Sequence, residues 1–170
     1  MMDLAKGMGY LHTSCIVSHG NLKSFNCLID ERWSLKISEY GLPSFLAGMD
    51  GSEDQNTVYK KKVWTAPEIL RENFPPPRGT QKGDVYSFAI ICYEIMSREE
   101  PYIFDNIIPR DVISRVRNGE STPYRPQLPE LSELGPVITD MVKQCWDEVP
   151  ESRPTFAQIR PLLRKEAGGE

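Results

Sequence analysis

The sequence predicts a mainly α-helical domain carrying one short β-hairpin. Three observations lead there. Apolar residues recur at helical spacing near both ends of the chain. Residues 82–97 are apolar almost all round, the pattern of a helix buried in the middle of a domain. The strand-like runs are short: 27–29 and 35–37. A length of 170 residues suggests one domain. A domain of that size buries roughly 70% of its unfolded surface and needs no staples.

Taken in order, residues 1–12 carry Met1, Leu4, Ala5, Met8 and Leu11 on one helical face. No capping residue precedes this helix, as if the chain were cut from a longer one. Cys27-Leu28-Ile29 and Leu35-Lys36-Ile37 flank Asp30-Glu31-Arg32, a hairpin turn. Residues 43–62 are rich in Gly, Ser, Asp and Asn and read as a long, functional or mobile stretch without regular structure. The stretch 109–118 opens with proline in the first turn and stops before Gly119, the usual asymmetry of helix ends. Residues 131–146 are amphipathic, with Gly135-Pro136 interrupting or starting the helix. Residues 155–165 place Phe156, Ile159, Leu162 and Leu163 on one stripe, with Pro161 as a kink point.

Composition excludes several classes. Lysine plus arginine number 20 and aspartate plus glutamate 24, a formal net charge of −4. That balance lacks the broad positive footprint of a nucleic-acid binder. The longest strongly apolar stretch, 88–93, is far short of the ~20 residues that span a bilayer. The first residues carry no signal-peptide core. Cys15, Cys27, Cys92 and Cys145 lie far apart with no C-x-x-C pair. Neither a zinc site nor a disulfide framework is expected; buried, reduced thiols in a cytosolic setting are.

Five motifs carry the identity. Ser18-His19-Gly20-Asn21-Leu22-Lys23-Ser24-Phe25-Asn26 resembles the catalytic loop of protein kinases, whose general form is H-R-D-L-x-x-x-N. Ser38-Glu39-Tyr40-Gly41-Leu42 resembles the D-F-G magnesium motif, and Thr65-Ala66-Pro67-Glu68 the A-P-E that closes the activation segment. The run from Gly83-Asp84-Val85 to Phe88 resembles the start of the central helix of the kinase large lobe. Cys145-Trp146 followed by Arg153-Pro154 resembles that lobe's last motif. One such motif is weak; the ordered set covers nearly the whole chain. The fold it implies is a protein-kinase-like large (C-terminal) lobe over residues 1–170, with the hairpin next to the catalytic-loop remnant.

The same residues depart from an active kinase. Asn21 stands where an aspartate would accept the substrate hydroxyl proton, and an amide has no basicity near neutral pH. A positioned general base contributes about 10²–10⁴-fold. Glu39 stands where an aspartate would hold magnesium; its extra methylene disturbs the octahedral geometry that ion demands. Gly20 replaces the arginine that would grip an activation-segment phosphate. No Gly-rich loop and no V-A-I-K lysine are present in these residues. The chain as it stands is expected not to transfer phosphate.

His19-Gly20-Asn21-Leu22-Lys23-Ser24 with Asn26-Cys27, and the Glu-Tyr-Gly-Leu motif, are similar to the kinase-homology (pseudokinase) domain of receptor-type guanylyl cyclases. So are Arg115-Val116-Arg117-Asn118-Gly119, Tyr124-Arg125-Pro126 and the run from Gln144-Cys145-Trp146 to Phe156. The resemblance implies a regulatory module on the cytoplasmic side of the plasma membrane, soluble itself and without direct membrane contact. Its partners would be the small kinase-like lobe and the cyclase domain of the parent chain, which makes cyclic GMP from GTP. It admits a homodimer in the parent and implies no nucleic acid. ATP and Mg are the implied cofactors, weak here and not required. A segment of an active protein kinase and a truncated, interaction-only isoform stay open as alternatives.

Site residues follow from the same resemblance, each beside a plainer reading. Lys23 would touch a phosphate, or is a solvated lysine. Asn26 would be a magnesium ligand, or a loop asparagine in an Asx-type turn, the reading that its chemistry favours. Leu28 would floor an adenine ring, conditional on a small lobe, and is core on its apolar strand in either case. Glu39 would be a weak or vestigial magnesium ligand. His19 is a packed structural residue near Tyr40 and tied to Asp84, whose place at a helix start suits its charge. Glu68 and Arg153 resemble a buried ion pair that pins the activation segment. Lys60-Lys61-Lys62 reads as a solvated face rather than a docking patch. Pro75-Pro76-Pro77 reads as a rigid loop rather than an SH3-type ligand.

Overall fold

The computed structural model describes residues 1–40, 55–103, 107–129, 136–166 and 168. The first helix, α1, spans Met2–Thr13 and buries Leu4, Ala5, Met8 and Leu11, the stripe its spacing predicts. Strands β1 (Cys27–Ile29) and β2 (Leu35–Ile37) pair antiparallel, with Cys27 opposite Ile37 and Ile29 opposite Leu35. Asp30 builds the turn between them: its carboxylate accepts the Arg32 and Ser34 N–H groups at 3.0 and 2.9 Å. The hairpin lies against α1 at Gly7, where an added Cβ would sit 2.7 Å from Ile37 Cδ1.

Residues 55–61 correct the expectation of a structureless 43–62. They form a helix, α2 (Gln55–Lys61), while 43–54 lie outside the described residues. This short polar segment has no apolar stripe to announce it. It docks on a later helix, with Tyr59 packed against the core. Lys60 and Lys61 sit at its C-terminal end, where positive charge suits the helix dipole. A further short helix, α3 (Pro67–Arg71), opens with proline, whose missing N–H costs nothing there.

The centre is α4, Gln81–Ser97. Thr80 caps it, its Oγ1 accepting the Gly83 N–H at 2.9 Å. Val85, Tyr86, Phe88, Ala89, Ile90, Cys92 and Tyr93 are all buried. Helix α5 (Pro109–Asn118) buries Val112, Ile113 and Val116 and packs against α2 and α3. Helix α6 (Pro136–Cys145) buries Ile138, Met141, Val142 and Cys145, and residues 131–135 of the expected 131–146 segment lie outside the described residues. Helix α7 (Phe156–Glu166) continues through Pro161. An interior proline costs ~3 kcal/mol. Burial of Phe156, Ile159 and Leu163, at ~1.5–3 kcal/mol each, outweighs it. Helices α1, α6 and α7 thus surround α4, which sets the floor on which the 18–26 loop rests.

Two expectations are corrected. Leu28 is not core: it is 54% exposed, as Ile29 beside it is 57%. The strand is apolar on both faces, and among the described residues α1 packs on the hairpin through β2 rather than over Leu28. Cys15 is exposed and Cys27 only half-buried; Cys92 and Cys145 are the buried thiols.

Candidate functional site

The 18–26 loop is held from below by Asp84, in the first turn of α4. Its Oδ2 accepts the His19 N–H at 2.7 Å and its Oδ1 the Gly20 N–H at 2.9 Å. His12 Nε2 reaches the same Oδ2 at 2.9 Å. Asp84 is 2% exposed, so three donors meet a carboxylate sheltered from water. The His19 ring is fully buried. Its Nε2–H donates to the Ser38 carbonyl (3.0 Å), and its Nδ1 accepts the Asn21 N–H (3.2 Å). Those two partners fix the neutral tautomer. Burial lowers the His19 pKa, against the pull of Asp84 and the Ser38 carbonyl. Tyr40 lies edge-on to His19, with ring centroids 6.3 Å apart.

Gly20 has φ +75, and a Cβ there would meet the Arg78 carbonyl oxygen at 2.4 Å. Ser18 Oγ donates to that same oxygen at 2.8 Å. The loop after α3 therefore lies directly against the position where the kinase pattern has an arginine. Gly79 N–H closes a turn onto the Pro76 carbonyl at 2.8 Å. The proline run thus bends instead of extending, as a rigid loop does.

Asn21 is held through its backbone. Besides the bond to His19, its carbonyl accepts the Asn26 side-chain amide at 2.7 Å. Asn26 is 2% exposed, and its backbone carbonyl accepts both the N–H and the Oγ–H of Ser38. It therefore bridges the catalytic-loop remnant to the Ser38-Glu39-Tyr40 stretch. Glu39 is exposed, with φ 59. One amide oxygen and one carboxylate fit magnesium only as a partial set, the remaining positions going to water and phosphate. Among the described residues, no three His, Cys, Asp or Glu side chains gather at one point. Lys23 lines a pocket of about 50 Å³ with Asn21, Thr65, Thr80 and Asp84.

Below the site, Glu68 on α3 meets Arg153 in a two-point pair, Nη1–Oε1 2.7 Å and Nη2–Oε2 2.8 Å. Arg153 also donates to the Asp147 and Lys82 carbonyls. Sequence reasoning passes over Glu94 of α4. Its Oε1 accepts the Ser24 hydroxyl at 2.8 Å and its Oε2 the Trp64 indole N–H at 2.9 Å. Burial raises its pKa, and the two hydrogen bonds oppose that rise. A charged residue inside an apolar helix run was the available signal.

Comparison with known proteins agrees with this geometry. The family described as protein tyrosine and serine/threonine kinase matches residues 1–163. Atrial natriuretic peptide receptor 2 of Anguilla japonica is 45% identical over 165 residues, covering 96% of this chain and 16% of that receptor. The resact receptor of Arbacia punctulata is 45% identical over 165 residues, 95% of this chain and 17% of its own length. Receptor-type guanylate cyclase gcy-28 of Caenorhabditis elegans is 40% identical over 176 residues, 95% of this chain and 14% of that protein. The chain thus spans about a sixth of the length of these relatives. No helix among the described residues is long and apolar enough to cross a membrane. From its catalytic-loop remnant to the Glu68–Arg153 pair, the chain belongs to the protein tyrosine and serine/threonine kinase family.

Proposed function

We propose that this chain is the large-lobe part of a regulatory pseudokinase module in a receptor guanylate cyclase. In this reading it senses ATP and transfers no phosphate. The observation that carries it is Asn21: the loop keeps its anchors to Asp84, His19 and Asn26, yet holds an amide where the base belongs. A fold that keeps the scaffold of a loop and drops its proton acceptor suits recognition better than turnover. Similarity to receptor guanylate cyclases at 40–45% identity supports the parentage. The parent's cyclase domain would make cyclic GMP from GTP, and this module would face the cytoplasm.

Lys23 and Asn26 are the residues proposed to meet ATP phosphates and magnesium, with Glu39 as a weak second ligand. Leu28, 54% exposed, is the residue proposed to meet an adenine ring once a small lobe closes over it. Calorimetry with Mg-ATP tests this on the chain together with the parent's small lobe. Binding that weakens on Leu28→Asp and Asn26→Ala supports the reading. No binding at millimolar ATP removes the sensing part of it.

A further inference from the structure

Trp64 marks the point where the end of the activation segment enters the core. Helix α2, before it, buries no residue, whereas Val63, Trp64 and Ala66 are buried. The Trp64 carbonyl is fixed to α4 by the Ser87 hydroxyl at 2.8 Å. Its indole N–H, 7% exposed at the residue level, needs an acceptor, since a buried donor left unpaired is costly. Glu94 supplies it, and the other oxygen of the same carboxylate takes the Ser24 hydroxyl. Ser24 opens the turn that ends at Asn26, whose side chain holds the Asn21 carbonyl. A single side chain therefore touches both the activation-segment exit and the loop of the proposed nucleotide site.

We infer that Glu94 is a latch that holds Trp64 and the Ser24–Asn26 turn in one register, so that loosening either side loosens the other. A parallel link exists in the Phe25 ring, edge-on to Trp64 at 5.7 Å between centroids. Phe25 is 75% exposed, so this contact is wet and offers less coupling than the sheltered carboxylate. The latch deepens the regulatory reading and rests on it only for its purpose. A nucleotide drawing on Asn26 would pull on Ser24, and the carboxylate would carry that pull to the segment end.

The test is hydrogen exchange on the full chain without nucleotide, so its outcome is independent of whether ATP binds. Ser24→Ala and Trp64→Phe are each made in the native chain and in Glu94→Ala. In the native background, Ser24→Ala should speed exchange at the amides of Val63–Thr65 by about ten-fold, the effect of one lost hydrogen bond to a charged group. Trp64→Phe should do the same at residues 24–27. Amides at 85–93 serve as the fold marker and should keep their protection in every variant. In Glu94→Ala, neither substitution should add to the exchange of the other side. Cross-effects that persist in Glu94→Ala, or that vanish only with Phe25→Ala, overturn the latch. So does an absence of cross-effects in the native background.

Discussion

Glu68 and Arg153 stand 85 residues apart in sequence and meet edge to edge, two N–H groups against two carboxylate oxygens at 2.7 and 2.8 Å. Arg153 is 1% exposed, and two further N–H groups go to the Asp147 and Lys82 carbonyls. The pair joins α3, at the end of the activation segment, to the turn before α7. Removing one partner of a buried pair costs ~3–5 kcal/mol, because the other charge is stranded. Arg153→Met should therefore lower unfolding free energy by about that amount. Glu68 keeps 26% of its side chain in water, so Glu68→Gln should cost less, about 2 kcal/mol. Urea unfolding of both variants checks the order. Equal, near-zero losses would make the pair decorative.

Gly20→Arg, which restores the general kinase pattern, should destabilise the chain. A left-handed residue with a Cβ costs ~1–2 kcal/mol, and here the Arg78 carbonyl oxygen stands 2.4 Å from that Cβ. At ~2–4 °C per kcal/mol for this size, the melting temperature should fall by at least ~2 °C. Gly20→Ala should show most of the same loss, since both penalties begin at Cβ. An unchanged melting temperature would mean that the 78–79 loop moves aside at little cost.

Residues whose chemistry is local were legible in the sequence. Helix α5 begins and ends where Pro109 and Gly119 put its limits. The β1–β2 register follows from a turn made by one aspartate. His19, Asp84, Glu68 and Arg153 were reached through motif order, and the structure places them in mutual contact as two groups. Tertiary facts were not legible. Helix α2 has no apolar stripe because it docks through little more than Tyr59. Leu28 reads as core by composition, yet no described residue covers its face. Glu94 went unread because its two partners, Ser24 and Trp64, lie 70 and 30 residues away.

Stability should fall as pH drops through the histidine range. The His19 pKa is lowered from 6.5 by burial, so just below that value the unfolded chain takes up a proton that the folded ring refuses. The contribution is complete above about 6.5 and is lost as the medium acidifies toward the lowered folded value. Glu94 acts with the opposite sign: its pKa is raised from 4.5, so its burial costs stability as pH rises above that value. The His19 part is therefore the difference between the native chain and His19→Gln. The native urea midpoint should drop more between pH 7.5 and 5.5 than that of the variant. A steeper drop in His19→Gln would contradict the neutral tautomer.

Thiol reactivity should rank with exposure. Burial pushes Cys92 up to about 12 and Cys27 to about 11, and holds Cys145 well above its ordinary value. The thiolate is the reacting form, so these three should label slowly at pH 8. Exposed Cys15 should take one equivalent of a thiol reagent quickly. Mass spectrometry of the digested product locates the label. Rapid labelling of Cys92 or Cys145 in the native chain would show that α4 opens far more readily than its burial implies.

The most direct measurement of the central claim is transfer of labelled γ-phosphate from Mg-ATP by the parent module carrying this chain, with Asn21→Asp beside it. Stabilisation by ATP with no labelled product from the native form is the predicted result, since the loop is anchored but holds no proton acceptor. Labelled product from the native form, abolished by a substitution at Lys23 or Asn26, would contradict it and make the chain part of a working kinase.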